Sequence, residues 1–262
     1  MYFIFTNKQF SRTQNSKIMA SKSESGHTKN VANLKTLNTY LGTLGAKYNP
    51  TKPIIALTAL STLHNNADKS LSAIQDAQPA FAAAVDAQEG AFKPLNKLVT
   101  RLVRAYKSAI ENPAEAETLI SLQKKINGKP KKVDPKKEPK EGEEDPVSTS
   151  QLSYDNRQAN FQLLVKTMAA NSNYKPNETE LQIATLQAYA DDLKQKTEAV
   201  DATYAPIVNS RISRNTILYD EKTGMVPVVV PAVKDYIISV YGAGSPQIKY
   251  IYTLKFRDSV KK

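Results

Sequence analysis

The chain has 262 residues, 40% hydrophobic and 23% charged, enough to bury a sizeable core as one large domain or two small ones. About half of its net charge of +11 falls in residues 1–30 and 124–145, which weakens the case for a dedicated nucleic-acid face, where Lys and Arg concentrate on one structured surface. The lack of cysteine excludes a disulfide framework and thiol chemistry, and no apolar run approaches the roughly 18 residues of a membrane span. A cytoplasmic chain that makes no use of a membrane is expected.

The opening run, Met1 to Phe5, is too short for a secretory apolar core and is followed by polar residues. Met19 is the more natural start, so residues 1–18 are expected to be a disordered or mis-assigned extension. Ser21 and Glu24 have capping-box spacing, and a helix over about 22–45 follows, with Val31, Leu34, Leu37, Leu41 and Leu44 on one stripe. Gly45 and Tyr48-Asn49-Pro50 end it, because a proline disfavours helical backbone in the residue before it. A second apolar stripe then runs through Leu57, Leu60, Leu63, Ala67, Leu71, Ile74, Phe81, Val85 and Phe92, with a kink or break expected near Pro79. Pro94 opens a further helix carrying Leu95, Leu98, Val99, Leu102, Val103 and Tyr106. Asn112-Pro113-Ala114-Glu115 caps a short helix with Leu119, Ile120 and Leu122.

Residues 127–147 hold four prolines and no aromatic residue, too little apolar surface to offset the entropy of ordering, and are expected to be a disordered linker. The earlier pattern then returns. Ala32-Asn33-Leu34 leads through Leu37 and Leu41 to Tyr48-Asn49-Pro50, and Ala159-Asn160-Phe161 leads through Leu163 and Leu164 to Tyr174-Lys175-Pro176. The interval from Pro50 to Leu60 equals that from Pro176 to Leu186. The second half is expected to hold a helix over about 150–171 capped by Ser148 to Gln151, a long helix over about 177–220, and a third from Val226 to Tyr241. Gly242-Ala243-Gly244 and Ser245-Pro246 have the form of a C-cap followed by an N-cap. Ile248, Tyr250, Tyr252, Leu254 and Phe256 alternate like a strand, but no partner strand is evident, so short helix or coil is expected. These readings predict an all-α protein. Two pseudo-repeats, 19–126 and 148–262, each a helical hairpin plus a third helix, form one folded unit packed about a pseudo-two-fold as an elongated antiparallel helical bundle.

Chemistry is harder to find. In the second long helix, residues 186, 193, 200, 207 and 214 and residues 190, 197, 204, 211 and 218 form the stripe expected to be buried. Arg211 and Arg214 fall on it, with Asn215 alongside, and a buried guanidinium needs a partner. Two guanidiniums one turn apart suit a phosphate or carboxylate, which makes Arg211, Arg214 and Asn215 a candidate anion site. The competing reading pairs them internally with Asp86 and Glu89 of the first half. His27 and His64 are the only histidines, too few for a zinc site without cysteine or for a Ser-His-Asp set. Asp191 and Asp192 point apart on a helix, and Gly128-Lys129 lacks the phosphate-loop frame. No catalytic residue, metal site or cofactor emerges.

Four stretches carry a resemblance. They are Asp155-Asn156-Arg157 with Asn160-Phe161, the run Asn209 to Tyr219, Ser245-Pro246-Gln247 with Leu254-Lys255-Phe256, and the run Phe92 to Arg101. Through them, residues 20–262 resemble a family of internally duplicated helical proteins common in flavobacteria and other Bacteroidota, to which no activity is assigned. Gln88 stands where that pattern has an arginine. The resemblance implies no catalytic residue.

The function expected is therefore a non-enzymatic scaffold or interaction protein with a protein partner. Nucleic-acid binding through the basic surface and Lys-rich segments is the alternative, and a small-anion site or an enzyme at Arg211 and Arg214 is the second. The circular dichroism spectrum is predicted to show helix in well over half of the chain; a sheet-rich spectrum contradicts the whole assignment.

Overall fold

A computed structural model describes residues 22–111, 113–128 and 152–258. The expected extension 1–18, Ser21, Asn112, the linker from residue 129 onward and the caps at 148–151 lie outside the described residues. Among the described residues all regular structure is helical, with no strand. The α-helices are α1 (Lys22–Thr43), α2 (Leu57–Phe92), α3 (Leu95–Ala109), α4 (Glu117–Asn127), α5 (Tyr154–Ala169), α6 (Ile183–Tyr219), α7 (Val230–Tyr241) and α8 (Pro246–Thr253).

The chain forms two compact units, and neither is a contiguous half. One comprises the residues up to Pro79 together with Tyr204 onward; the other is Ala80–Thr203. In the first, Val31, Leu34, Leu37 and Leu41 of α1 and Leu60, Ala67 and Leu71 of α2 share a core with Leu218 of α6, Val230, Val233 and Ile237 of α7, and Ile248 and Ile251 of α8. In the second, Phe92 and residues of α3 and α4 share a core with Phe161, Leu164, Val165 and Met168 of α5 and Leu186, Ala190 and Leu193 of α6. The stripes read from periodicity are thus buried over much of their length, but each is covered by helices from the other half of the chain.

Matching polar and aromatic contacts recur in the two units. Tyr48 donates its hydroxyl hydrogen to the Ile55 carbonyl at 2.6 Å, and Tyr174 does the same to Leu181 at 2.9 Å, each across seven residues. Each bond closes the turn that leads into a long helix. The ring of Tyr48 meets Tyr236 of α7 edge-on at 5.3 Å, and that of Tyr174 lies 5.8 Å from Tyr106 of α3. Burial pushes both turn hydroxyls up, Tyr174 to about 12, so both are protonated donors at neutral pH.

Of the kink or break expected near Pro79, the break does not occur: α2 is continuous across it. A helix-interior proline costs about 3 kcal/mol; buried anchors on either side, Leu71 and Ile74 before it and Gln88 and Phe92 after it, offset that cost. α6 likewise runs through Pro206. No residue between Ile74 and Gln88, or between Thr197 and Ile207, is buried, so the expected stripe positions Phe81 and Val85 are only half-buried. The boundary between the compact units crosses both helices in these stretches.

Local chemistry moved several boundaries. Ser153, not the 148–151 segment, caps α5, its side chain accepting from the Asn156 amide at 3.2 Å. The third helix of the second half opens on one π-helical turn, Met225–Val229. Pro227 and Pro231 lie four apart and neither can donate, and the Gly224 carbonyl accepts both from the Val228 amide at 3.1 Å, the regular spacing, and from the Val229 amide one residue further at 3.3 Å. Gly224 is required by close approach, since a Cβ there would stand 2.5 Å from the Asp220 backbone N and O. Gly242 ends α7 at φ 88° and Ser245 caps α8, as expected.

The turn between α6 and α7 is held by the Asp220 carboxylate, which accepts from the Lys222 and Thr223 amides and the Thr223 hydroxyl. These bonds hold its pKa below the ordinary carboxylate value, so they stabilise the fold above that value and are lost as pH falls through the depressed one. Asp220→Ala is predicted to lower the melting temperature at neutral pH, with the gap from wild type closing in acid. In urea denaturation, Tyr48→Phe and Tyr174→Phe are each predicted to cost about 1 kcal/mol, and by similar amounts.

Candidate functional site

The run Asn209 to Tyr219, where the sequence placed its candidate, forms the last turns of α6. Of the two predicted rows, Leu186, Leu193, Ile207 and Arg214 are buried in one and Ala190, Thr197 and Leu218 in the other. Val200 and Arg211 are half-buried and Tyr204 is exposed. Arg214, at 4% exposure, is the buried guanidinium that the heptad spacing predicts, and both its Nε (3.1 Å) and Nη2 (2.9 Å) donate to Asn215 Oδ1. The structure therefore brings Arg214 and Asn215 together, with Arg211 one turn before them.

Asp86 is exposed and Glu89 half-buried, and both belong to the unit 80–203, whereas Arg211 and Arg214 belong to the other. Gln88 is buried at 5% exposure and donates from Nε2 to Thr197 Oγ1 at 3.2 Å. Each long helix thus buries one large polar side chain in its last turns.

The solvent-facing feature of this segment involves its serines. An open groove of about 420 Å³ runs between α2 and α6 within the first unit. Asn66, Lys69, Ser70 and Ala73 line it from α2, and Ser210, Ser213 and Ile217 from α6. No carboxylate lines it. Ser70 is buried and its hydroxyl is spent on the Ala67 carbonyl at 2.7 Å, while Asn66, Lys69 and Ser213 are exposed. A neighbouring groove of about 310 Å³ shares Asn66 and is lined by Ile54, Ala59, Thr62, Leu63, Thr223 and Val229. The spacing of Ser210, Ser213 and Ile217 at i, i+3 and i+7 is the one sequence signal that places them on a common face.

A second polar cluster went unread in the sequence because it sits on an apolar stripe. His27, Asn30 and Asn33 of α1 are all buried. Tyr219 Oη lies 2.6 Å from His27 Nδ1 and accepts from Asn30 Nδ2 at 3.1 Å. With the Tyr219 hydroxyl hydrogen directed at Nδ1, the imidazole proton is assigned to Nε2. The same Asn30 Nδ2 donates to the Arg257 carbonyl at 2.7 Å, Asn30 Oδ1 accepts from the Arg257 amide at 3.0 Å, and Asn33 donates to the Lys255 carbonyl at 2.9 Å. The alternation seen in 248–256 resolves into α8 followed by an extended strap. The strap's missing strand partner is supplied by two asparagine side chains.

His64 is part-exposed on α2, and its Nδ1 lies 3.4 Å from the neighbouring Asn65 Oδ1. Among the described residues no group of three or more His, Asp or Glu side chains is disposed to hold a metal, and no helix is long and apolar enough to cross a membrane. Comparison with known proteins finds no matching family model, no matching curated protein and no matching solved structure.

Asn30→Ala removes the donor to the Arg257 carbonyl and the acceptor for its amide. It is predicted to cost about 1–3 kcal/mol in urea denaturation and to make the chain after Thr253 the first site of limited proteolysis.

Proposed function

We propose that the chain is a non-enzymatic helical interaction module: an internally duplicated scaffold in which the two copies exchange halves to build two cores. The recurring tyrosine clasps, Tyr48 with Tyr236 and Tyr174 with Tyr106, support the duplication. So do the matched contacts where α1 and α5 begin, His27 against Tyr219 at 5.4 Å and Tyr154 against Phe92 at 4.8 Å. The resemblance to duplicated helical proteins of Bacteroidota is part of this proposal, as is a cytoplasmic location.

The observation that carries the functional reading is the character of the α2–α6 groove. Small-molecule and catalytic sites are concave, largely apolar and enclosing, with a few convergent polar groups. This groove is open and offers an amide, an ammonium and hydroxyls on rigid helices, the chemistry of a wet, polar contact with another macromolecule. Arg214, the strongest charge of the segment, is spent inward on Asn215.

Affinity purification of the full chain from its own cells, beside the Lys69→Glu, Ser213→Glu double variant, tests this. Both substituted positions are exposed, so the fold is retained. Wild type is predicted to retain a stoichiometric protein that the variant loses. A wild-type chain that emerges alone, or an identical set retained by both, overturns the proposal.

A further inference from the structure

We propose that the outward face of α8, the strap after it and the adjoining part of α7 form a binding surface for single-stranded nucleic acid. This rests on the reading of the chain as a binding module and names one partner class for it.

The surface combines two features. The first is exposed aromatic area. Tyr250 and Tyr252 are 40% and 47% exposed, although Ile248 and Ile251 on the same helix are fully buried. Tyr250 packs on Tyr40 of α1 with ring centroids 4.4 Å apart. The second feature is positive charge brought onto those rings. Lys234 Nζ of α7 lies 5.1 Å from the centre of the Tyr252 ring. Lys249 is exposed on α8 between the two tyrosines in sequence. In the strap, Leu254 and Phe256 pack against the core while Lys255 and Arg257 are exposed.

The alternation is fixed, because Asn30 and Asn33 hold the Lys255 and Arg257 backbone in an extended path. The Lys234 ammonium is held below its ordinary value first by burial and then by the nearby Lys255 charge. The Lys234 ammonium thus sits against an exposed ring, with the exposed Lys255 on the strap that follows it. Asp235 and Asp258 are the acids of these segments, against Lys234, Lys249, Lys255 and Arg257.

Anionic ligands suit this excess of positive charge, and the tyrosines choose among them. Phosphodiesters match the cations, while unpaired bases offer flat faces to the rings. In a duplex those faces are stacked inside and out of reach, so a single strand fits this surface where a duplex does not. An acidic protein would satisfy the cations but gives no role to exposed tyrosines.

The test is fluorescence anisotropy of the full chain with labelled oligo-deoxythymidine at low salt, titrated with salt. Wild type is predicted to bind, to weaken steeply as salt rises, and to prefer the oligonucleotide to a duplex of the same length. Tyr250→Ala and Tyr252→Ala are each predicted to weaken binding roughly tenfold, with Tyr252→Phe close to wild type because the ring remains. Lys249→Gln with Lys255→Gln is predicted to flatten the salt dependence. Thermal melts of the variants separate lost binding from lost fold. Two results overturn the proposal: no oligonucleotide binding at low salt, or binding that the lysine changes weaken and the tyrosine changes do not. If oligonucleotide binding fails while the Lys69 groove still retains its protein, only this surface falls. If both fail, the interaction-module reading falls with it.

Discussion

Everything in this fold depends on one constraint: an amphipathic helix must find apolar cover, and here the cover comes from the opposite half of the chain. α1 and the start of α2 are completed by the end of α6 with α7 and α8, and α5 and the start of α6 by the end of α2 with α3 and α4. Neither half contains the cover for its own first two helices. The contacts that fix each unit therefore span long sequence separations, as between His27 and Tyr219, 192 residues apart. Contacts of that kind delay folding until much of the chain is made, because loop closure precedes their reward.

Polar side chains do the registering. A purely apolar interface tolerates sliding, whereas a hydrogen bond buried beside it does not. The Tyr48 and Tyr174 hydroxyls set where each long helix begins, and the edge-on contact of Tyr48 with Tyr236 ties that turn to a helix of the other half. Asn30 goes further: one amide side chain serves the Tyr219 hydroxyl and both backbone groups of Arg257. A side-chain amide has the same donor and acceptor pair as a peptide bond, so it can replace a neighbouring strand for one residue of extended chain. That replacement gives an all-helical protein an ordered strap and turns alternate cations outward.

The run from Asn209 to Tyr219 shows how a helix divides one motif between stability and surface. Its arginine at 214 follows the buried row and meets Asn215, while Ser210 and Ser213 fall on the groove face. A guanidinium at 4% exposure is already committed to the interior, and its interaction with an outside anion would require giving up those bonds. The lysine of that groove comes from α2, which no local reading of the motif could supply.

Much was legible in the sequence. The helices, the turns at Tyr48 and Tyr174, the caps at Gly242 and Ser245 and the burial of Arg214 all follow from period, capping chemistry and proline sterics, which act over a few residues. Which of a kink or a break Pro79 would cause was not, because a proline's local cost is set against anchors on both sides that periodicity alone does not weigh. Nor were the burial of His27, Asn30 and Asn33, the serine-lined groove, or the strap at Lys255. Each depends on a residue far away in sequence. By itself the sequence determined the all-α class and the position of nearly every helix, since backbone hydrogen bonding and amphipathic spacing are local. Only the tertiary structure decided which helices share a core, because apolar period marks a face to be covered without naming its cover, and the choice of partner lies in the fit of whole faces.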